Sequence, residues 1–263
     1  MTRKIKRGKG YELTLEVSDD GFMATPRPDQ RQWLLNRIVR ETGDELQHAD
    51  VLARNFVRGR VARVDADRAQ SPLADDQIME DWQIPIMRRM AAIVAAARGD
   101  VLEIGMGRGV AADFVQAHEP RSHTLVECNP HIVARFDAWR QQYPGRRLAM
   151  LAHRWQDCLD QMATYDGLLF HTYPTSQSEF VDQVVQSVTF AEHFFDTAHR
   201  LLRPGGRFTY LTNEIDSLSR AHQRALLQRF TQVNLSVVAD LDIPDDTHDS
   251  HWARQMVLVE AVR

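Results

Sequence analysis

Asp100-Val-Leu-Glu-Ile-Gly-Met-Gly-Arg-Gly109 is the stretch that decides the fold. Its first half is a short β-rich run, and its second half places glycines at 105, 107 and 109, just before a helical pattern over residues 111–118. Glycines there let the backbone turn sharply and approach a ligand closely at a helix N-terminus. A strand, a glycine turn and a helix open an α/β unit, and the rest of the chain continues the alternation. Further β-rich runs fall at residues 124–128, 148–152, 165–170 and 207–212, and helical segments at 86–97, 132–142 and 180–202. Two last runs, 235–241 and 253–262, leave little room for a helix between them, so they are expected to pair antiparallel at one edge. The predicted fold is α/β: a doubly wound, mostly parallel, seven-stranded Rossmann-like sheet with helices on both faces. Ligands then bind outside the carboxyl ends of the strands.

Upstream the pattern is different. Residues 1–10 carry five basic side chains and two glycines and read as a frayed, solvated terminus. Residues 11–17 alternate apolar and polar, and Ser18-Asp-Asp-Gly21 is turn chemistry, so a short hairpin is expected. Helical spacing follows around Trp33 to Val39 and again over residues 46–57. Too little core is on offer for an independent unit. Residues 1–75 are therefore read as an N-terminal extension lying over the mouth of a ligand-binding domain that spans residues 76–263.

Composition excludes several classes. The 263 residues hold 32 Lys+Arg against 36 Asp+Glu, a formal charge of -4, which does not suit a protein built to coat nucleic acid. Cys128 and Cys158 are too few for a disulfide framework and lack zinc spacing. No run approaches the ~18 apolar residues of a membrane helix, and the basic start has no apolar run behind it to make a secretory signal. The expected setting is the cytoplasm. The expected partners are a small-molecule substrate and a second copy of the chain, with neither nucleic acid nor membrane.

Three details narrow what the glycine loop holds. The dinucleotide fingerprint needs a third glycine where Val110 stands. Glu127 ends the second strand, 22 residues beyond Gly105, where it can accept hydrogen bonds from a ribose. Leu201-Leu-Arg-Pro-Gly-Gly206 stops a helix and leads tightly into a strand across the crevice. In these features the chain resembles the class I S-adenosylmethionine-dependent methyltransferases, with a nicotinamide-dependent oxidoreductase as the lesser alternative.

Other stretches are more specific. Met79-Glu-Asp-Trp-Gln-Ile-Pro-Ile-Met87, Val126-Glu-Cys-Asn129, Trp155-Gln-Asp157 and Tyr165-Asp-Gly-Leu-Leu-Phe-His-Thr-Tyr-Pro174 resemble the guanidinoacetate N-methyltransferase and arginine methyltransferase branch. The resemblance covers roughly residues 75–263. It implies S-adenosylmethionine as cofactor, with contacts from Met79, Met87, Glu103, the loop Gly105, Met106, Gly107, Arg108 and Gly109, and from Glu127, Cys128 and Asn129. Trp155 and Gln156 would flank the adenine. No metal is implied. Packing alone would also account for the two methionines and for Trp155.

The chain departs from the family at the acceptor. Relatives grip the guanidinium with two carboxylates, one in the Trp-Glu segment and one before Thr-Tyr-Pro; here those positions are Gln83 and His171. Burying an unpaired guanidinium costs several kcal/mol, so a neutral or anionic acceptor suits this pocket better. Gln83, His171 and Tyr173 are the candidate catalytic residues. His171 is placed to take a proton from a hydroxyl, amine or ring nitrogen. Gln83, His171, Asn213 and Glu214 are the candidate acceptor contacts, and Glu214 could supply a displaced carboxylate. In Ile243-Pro-Asp-Asp-Thr-His-Asp-Ser-His-Trp252, His248 and His251 read as parts of a polar loop between edge strands rather than as metal ligands.

The expected function is transfer of a methyl group from S-adenosylmethionine to a nitrogen or oxygen of a small molecule. The alternative is a cyclase or lyase of the same fold, of the azetidine-2-carboxylate synthase type. There the cofactor's own amino group attacks its γ-carbon and methylthioadenosine leaves.

Overall fold

A computed structural model describes the backbone of residues 2–8, 11–18 and 21–26 and, in full, residues 69–175, 179, 183, 189–212, 218–243 and 256–263. At the amino end, β1 (Thr2–Gly8), β2 (Tyr11–Ser18) and β3 (Gly21–Pro26) form an antiparallel sheet in that order. The hairpin expected after residue 11 is β2–β3, closed with Ser18 opposite Gly21. Residues 2–8, read from their charge as a frayed terminus, instead pair along their whole length with β2, from Thr2 opposite Val17 to Gly8 opposite Tyr11. Counting charges overlooked that a basic run can still complete a ladder.

The main sheet has seven strands: β4 (Asp100–Ile104), β5 (Ser122–Val126), β6 (Leu148–Leu151), β7 (Tyr165–Phe170), β8 (Leu202–Thr212), β9 (Gln232–Val238) and β10 (Met256–Val262). Their order is β6-β5-β4-β7-β8-β10-β9. The first five are parallel; β10 runs antiparallel to both β8 and β9, so the edge pairing holds. From β4 the chain winds outward to β6 and then returns to β7 on the other side. The crevice of the doubly wound sheet therefore opens between β4 and β7.

Side-chain alternation divides the core in two. Along β4 and β7, Leu102, Ile104, Leu168 and Phe170 face one layer with Phe194, Phe195, Ala198 and Leu201. Val101 and Leu169 face the other, against Ile86, Met87, Met90 and Val94 of α2 (Ile84–Ala95), which follows the one-turn α1 (Asp75–Ile78), and against Ala111 and Val115 of α3 (Val110–Ala117). Central strands apolar on both faces are what a parallel sheet with helices on each side requires. The layer is tight at Gly167, where an added Cβ would lie 2.1 Å from the Val94 carbonyl oxygen. Only a glycine lets α2 seat there.

At the amino ends of the strands, away from the crevice, two arginines bind two aspartates. Arg121 donates to both oxygens of Asp100, 2.8 and 2.6 Å, and to Asp166, 3.0 Å; Arg203 reaches Asp166 at 2.7 Å and Asp100 at 2.9 Å. The Arg121 guanidinium holds the Asp100 carboxyl far below the usual carboxylate range. This network ties β4, β5, β7 and β8 at one end and leaves the other free for chemistry.

Three sequence expectations change here. The helix over 132–142 is two pieces, α4 (Pro130–Val133) capped by Asn129, and α5 (Phe136–Arg140). Of the helix over 180–202, the described part is a 3-10 turn, Phe190–Phe194, followed by α6 (Phe195–Leu201). An unexpected helix, α7 (Arg220–Leu227), lies between β8 and β9. Ser219 caps it by accepting from the His222 amide, and the buried His222 ring meets the Tyr210 hydroxyl at 2.6 Å. No helix among the described residues is long and apolar enough to cross a membrane.

Candidate active site

The parallel ladders run one residue past the strand ends and so line up three loops. Gly105 donates to the Val126 carbonyl at 2.9 Å, His171 to Ile104 at 3.1 Å, and Glu127 to Leu151 at 3.1 Å. Gly105, Glu127 and His171 thus stand at the carboxyl ends of neighbouring strands. Gly105 has φ +92°, and a Cβ there would lie 2.4 Å from the His171 carbonyl oxygen, so the loop crosses β7 with no room for a side chain.

A cleft of about 380 Å³, its open mouth included, is lined by Gly105, Glu127, Cys128, Trp155, Gln156 and Tyr173, among others. Glu127 is buried, and its Oε1 accepts from the amides of Cys128 at 2.9 Å and Asn129 at 3.0 Å. Its Oε2 accepts one longer bond, from Gly107 at 3.2 Å. A carboxylate offers about four acceptor positions. Oε2 therefore keeps capacity for one strong bond from a ribose hydroxyl, and for a second if the Gly107 bond yields. Beside it, burial and then the Glu127 charge push the Cys128 thiol up to about 11, so it is an uncharged wall at neutral pH.

The opposite wall was not visible in the motifs. Arg154 pairs with Glu179 Oε1 at 3.1 Å, and Glu179 Oε2 accepts from the amide and hydroxyl of Thr175, each at 2.7 Å. Trp155 packs edge-on against Phe194, ring centres 5.0 Å apart, with Phe190 and His193 completing the apolar side. Aromatic residues before a helix read as core, which is why residues 190–193 carried no functional signal.

Several candidates lie elsewhere. Met87 is 1% exposed and belongs to the α2 core, so the packing alternative describes it. Glu103 is fully buried and points into the sheet layer, its Oε2 3.1 Å from His123 Nε2. Burial drives its carboxyl upward against the pull of His123. Alternation along β4 sends Glu103 away from the cleft. Asn129 is likewise buried; its Oδ1 accepts from the His131 amide and its Nδ2 donates to Ser71 O, so it caps α4 and anchors the segment before Asp75. Met106 is packed with Leu125, Ile132 and Trp139. Gly107 and Gly109 shape the turn into α3.

Arg108 reaches away from the loop and clamps the segment that carries Gln83. Its NH1 lies 2.7 Å from both Met79 O and Asp81 Oδ1. That clamp brings residues 79–83 beside the glycine turn, with Met79 and Gln83 both buried and Gln83 starting α2. His171 is half-buried, and burial lowers its imidazole to about 4, so it is neutral at pH 7. The two positions where relatives carry acids thus flank the glycine turn without a negative charge. Asn213, Glu214, His248 and His251 lie outside the described residues. Among the described residues no group of three or more His, Cys, Asp or Glu is placed to hold a metal ion.

Comparison with known proteins identifies the fold and the family. A solved spermidine synthase, in complex with a transition-state analogue, superposes with a TM-score of 0.51 at 12% identity, over 98% of this chain and 72% of that one. At that identity the likeness shows the fold alone. Protein arginine N-methyltransferase 2 of Yarrowia lipolytica is 27% identical over 223 residues, covering 78% of this chain and 43% of the relative. The Saccharomyces cerevisiae protein of the same name is 26% identical over 147 residues, covering 51% of this chain and 32% of that one. The chain spans less than half the length of these relatives. The family model described as guanidinoacetate N-methyltransferase matches residues 56–240, well over half of the sequence. By that match and by its strand order, the chain belongs to the guanidinoacetate N-methyltransferase family, within the class I S-adenosylmethionine-dependent methyltransferases.

Proposed function

We propose that the chain methylates a nitrogen or oxygen of a small, uncharged or anionic molecule, using S-adenosylmethionine held in the cleft between β4, β5 and β7. The observation that carries the acceptor class is the pair Gln83 and neutral His171 beside the glycine turn. A guanidinium keeps its charge at any ordinary pH and needs a carboxylate partner when desolvated. Of the carboxylates lining the cleft among the described residues, Glu127 is engaged by three backbone amides and Glu179 by Thr175 and Arg154.

When bound, the cofactor supplies an electrophilic methyl sulfonium. The chain's own part is positioning and exclusion of water. Glu127 holds a ribose hydroxyl at Oε2, Trp155 and the neutral Cys128 thiol form dry walls, and Gly105 lets the loop come close. His171, with an imidazole lowered to about 4, is a weak base at pH 7. It fits an acceptor whose proton is already acidic, or one held by a hydrogen bond, better than an ammonium.

The discriminating experiment offers the purified chain guanidinoacetate, an arginine peptide and neutral acceptors of similar size carrying hydroxyl, phenol or imidazole groups. Turnover confined to uncharged acceptors is expected. Turnover of a guanidinium at a comparable rate overturns the acceptor reading.

A further inference from the structure

Among the described residues, the large apolar side chains left exposed are Leu227, Leu235 and Val237, at 62, 50 and 45%. All lie at one margin of the main sheet, on β9 and on α7, which packs against it. Among the described strands β9 pairs with β10 alone, so its other side is a sheet edge. Just past β10, Arg263 donates to the Gly206 carbonyl and accepts from the Gly205 amide, both in β8. By the alternation of an antiparallel ladder, Val262, Glu260, Leu258 and Met256 then bond the other way, to Gln232, Asn234, Ser236 and Val238 of β9. Val233, Leu235 and Val237 are left with their amides and carbonyls turned outward. There the Arg89 guanidinium of α2 reaches the Val237 carbonyl, at 2.8 Å.

Sheet edges are usually defended by short strands, charge or proline. The opposite edge, β6, is four residues long. β9 is seven, Gln-Val-Asn-Leu-Ser-Val-Val, with no charge and no proline. Val233 packs into the layer of α6 and α7, so alternation puts Leu235 and Val237 on that face and Gln232, Asn234 and Ser236 on the other. We propose that β9 joins β9 of a second copy, antiparallel about a two-fold axis through Leu235, so that the two seven-stranded sheets become continuous. In that register Leu235 meets Leu235, Val233 meets Val237 and Asn234 meets Ser236, and the outward amides and carbonyls bond to their own equivalents. An axis perpendicular to the sheet keeps like face beside like face, so the apolar row runs on across the junction and no charges of the two strands are opposed. Any strand could bond a free edge. The palindromic order of apolar and polar residues over 233–237 matches one partner in particular, a second copy of the chain.

Sedimentation equilibrium of the full chain over a range of concentrations reads the association directly. The wild type is expected to dimerise. Leu235→Lys puts two like charges on the axis and removes the apolar contact from both copies, so the dissociation constant should rise about a hundredfold or more. Leu235→Pro removes an outward amide but no bond to β10, and is expected to weaken the dimer as well. Thermal melts of the variants show that the fold survives. Register is read by mild oxidation and a non-reducing gel. Leu235→Cys should give a covalent dimer beyond any wild-type background, because 235 faces itself, at about 5.5 Å between Cα atoms in such a pair. Val237→Cys, which faces Val233, should not. A wild type that stays monomeric overturns the proposal and leaves the edge to a strand of another protein. A dimer that Leu235→Lys and Leu235→Pro leave intact overturns it too, as does crosslinking through Val237→Cys but not Leu235→Cys.

Discussion

Replacing Glu127 by glutamine changes one oxygen into an NH2 group with almost no change in shape, and the structure says which side fails. Oε1 takes two amide hydrogens, from Cys128 and Asn129 at 2.9 and 3.0 Å, and Oε2 takes one from Gly107 at 3.2 Å. The amide oxygen will stay with the two stronger donors, so the new NH2 faces the Gly107 amide and the cleft. The folded chain then loses one long bond, about 1 kcal/mol, which lowers the melting temperature by about 2 to 4 °C. Ligand binding suffers more, because a ribose hydroxyl loses a charge-assisted acceptor at Oε2 worth about 1.5 to 3 kcal/mol. Affinity for S-adenosylhomocysteine should drop about 10- to 150-fold. Titration calorimetry measures the binding, and a thermal melt on the same samples shows that the fold survives. A Glu127→Gln chain that melts normally and binds within twofold of the wild type would refute the ribose assignment.

Two further outcomes follow from packing and burial. Gly167→Ala puts a methyl 2.1 Å from the Val94 carbonyl and must push α2 off the sheet; a loss of about 2 kcal/mol or more in urea unfolding is expected. An unchanged midpoint would mean that α2 does not seat as described. The imidazole of His171 falls from an ordinary 6.5 to about 4 on folding. The unfolded chain therefore takes up its proton near pH 6.5 and the folded chain only near 4. Stability is full above 6.5 and declines as pH falls through that window, by at most about 3 kcal/mol. His171→Gln should show a shallower decline between pH 7 and 4.5. Parallel curves for the two chains would remove the neutral histidine from the account.

Much of this architecture was legible because strand and loop chemistry are local. The runs ending at Ile104, Val126 and Phe170 are short and end in buried apolar residues, and the glycines after Ile104 announce the turn. What a single sequence does not carry is the direction of a side chain and the company it keeps. Glu103 adjoins the glycine loop in sequence, yet strand alternation turns it toward His123. Asn129 follows the ribose acid, yet helix capping and Ser71 claim it. Arg108 sits inside the loop but reaches back to Met79 and Asp81. The short helix Arg220–Leu227 was missed because its apolar positions are few; Ser219, the cap, was its one clear mark.

Family membership does not by itself settle which bond of the cofactor breaks. The nucleoside that leaves the purified chain after incubation with S-adenosylmethionine and an uncharged acceptor reads this directly. Methyl transfer predicts S-adenosylhomocysteine, formed in step with methylated acceptor and only when acceptor is present. Methylthioadenosine released from the cofactor alone, with no acceptor needed, would contradict the transferase account and establish the cyclase alternative instead.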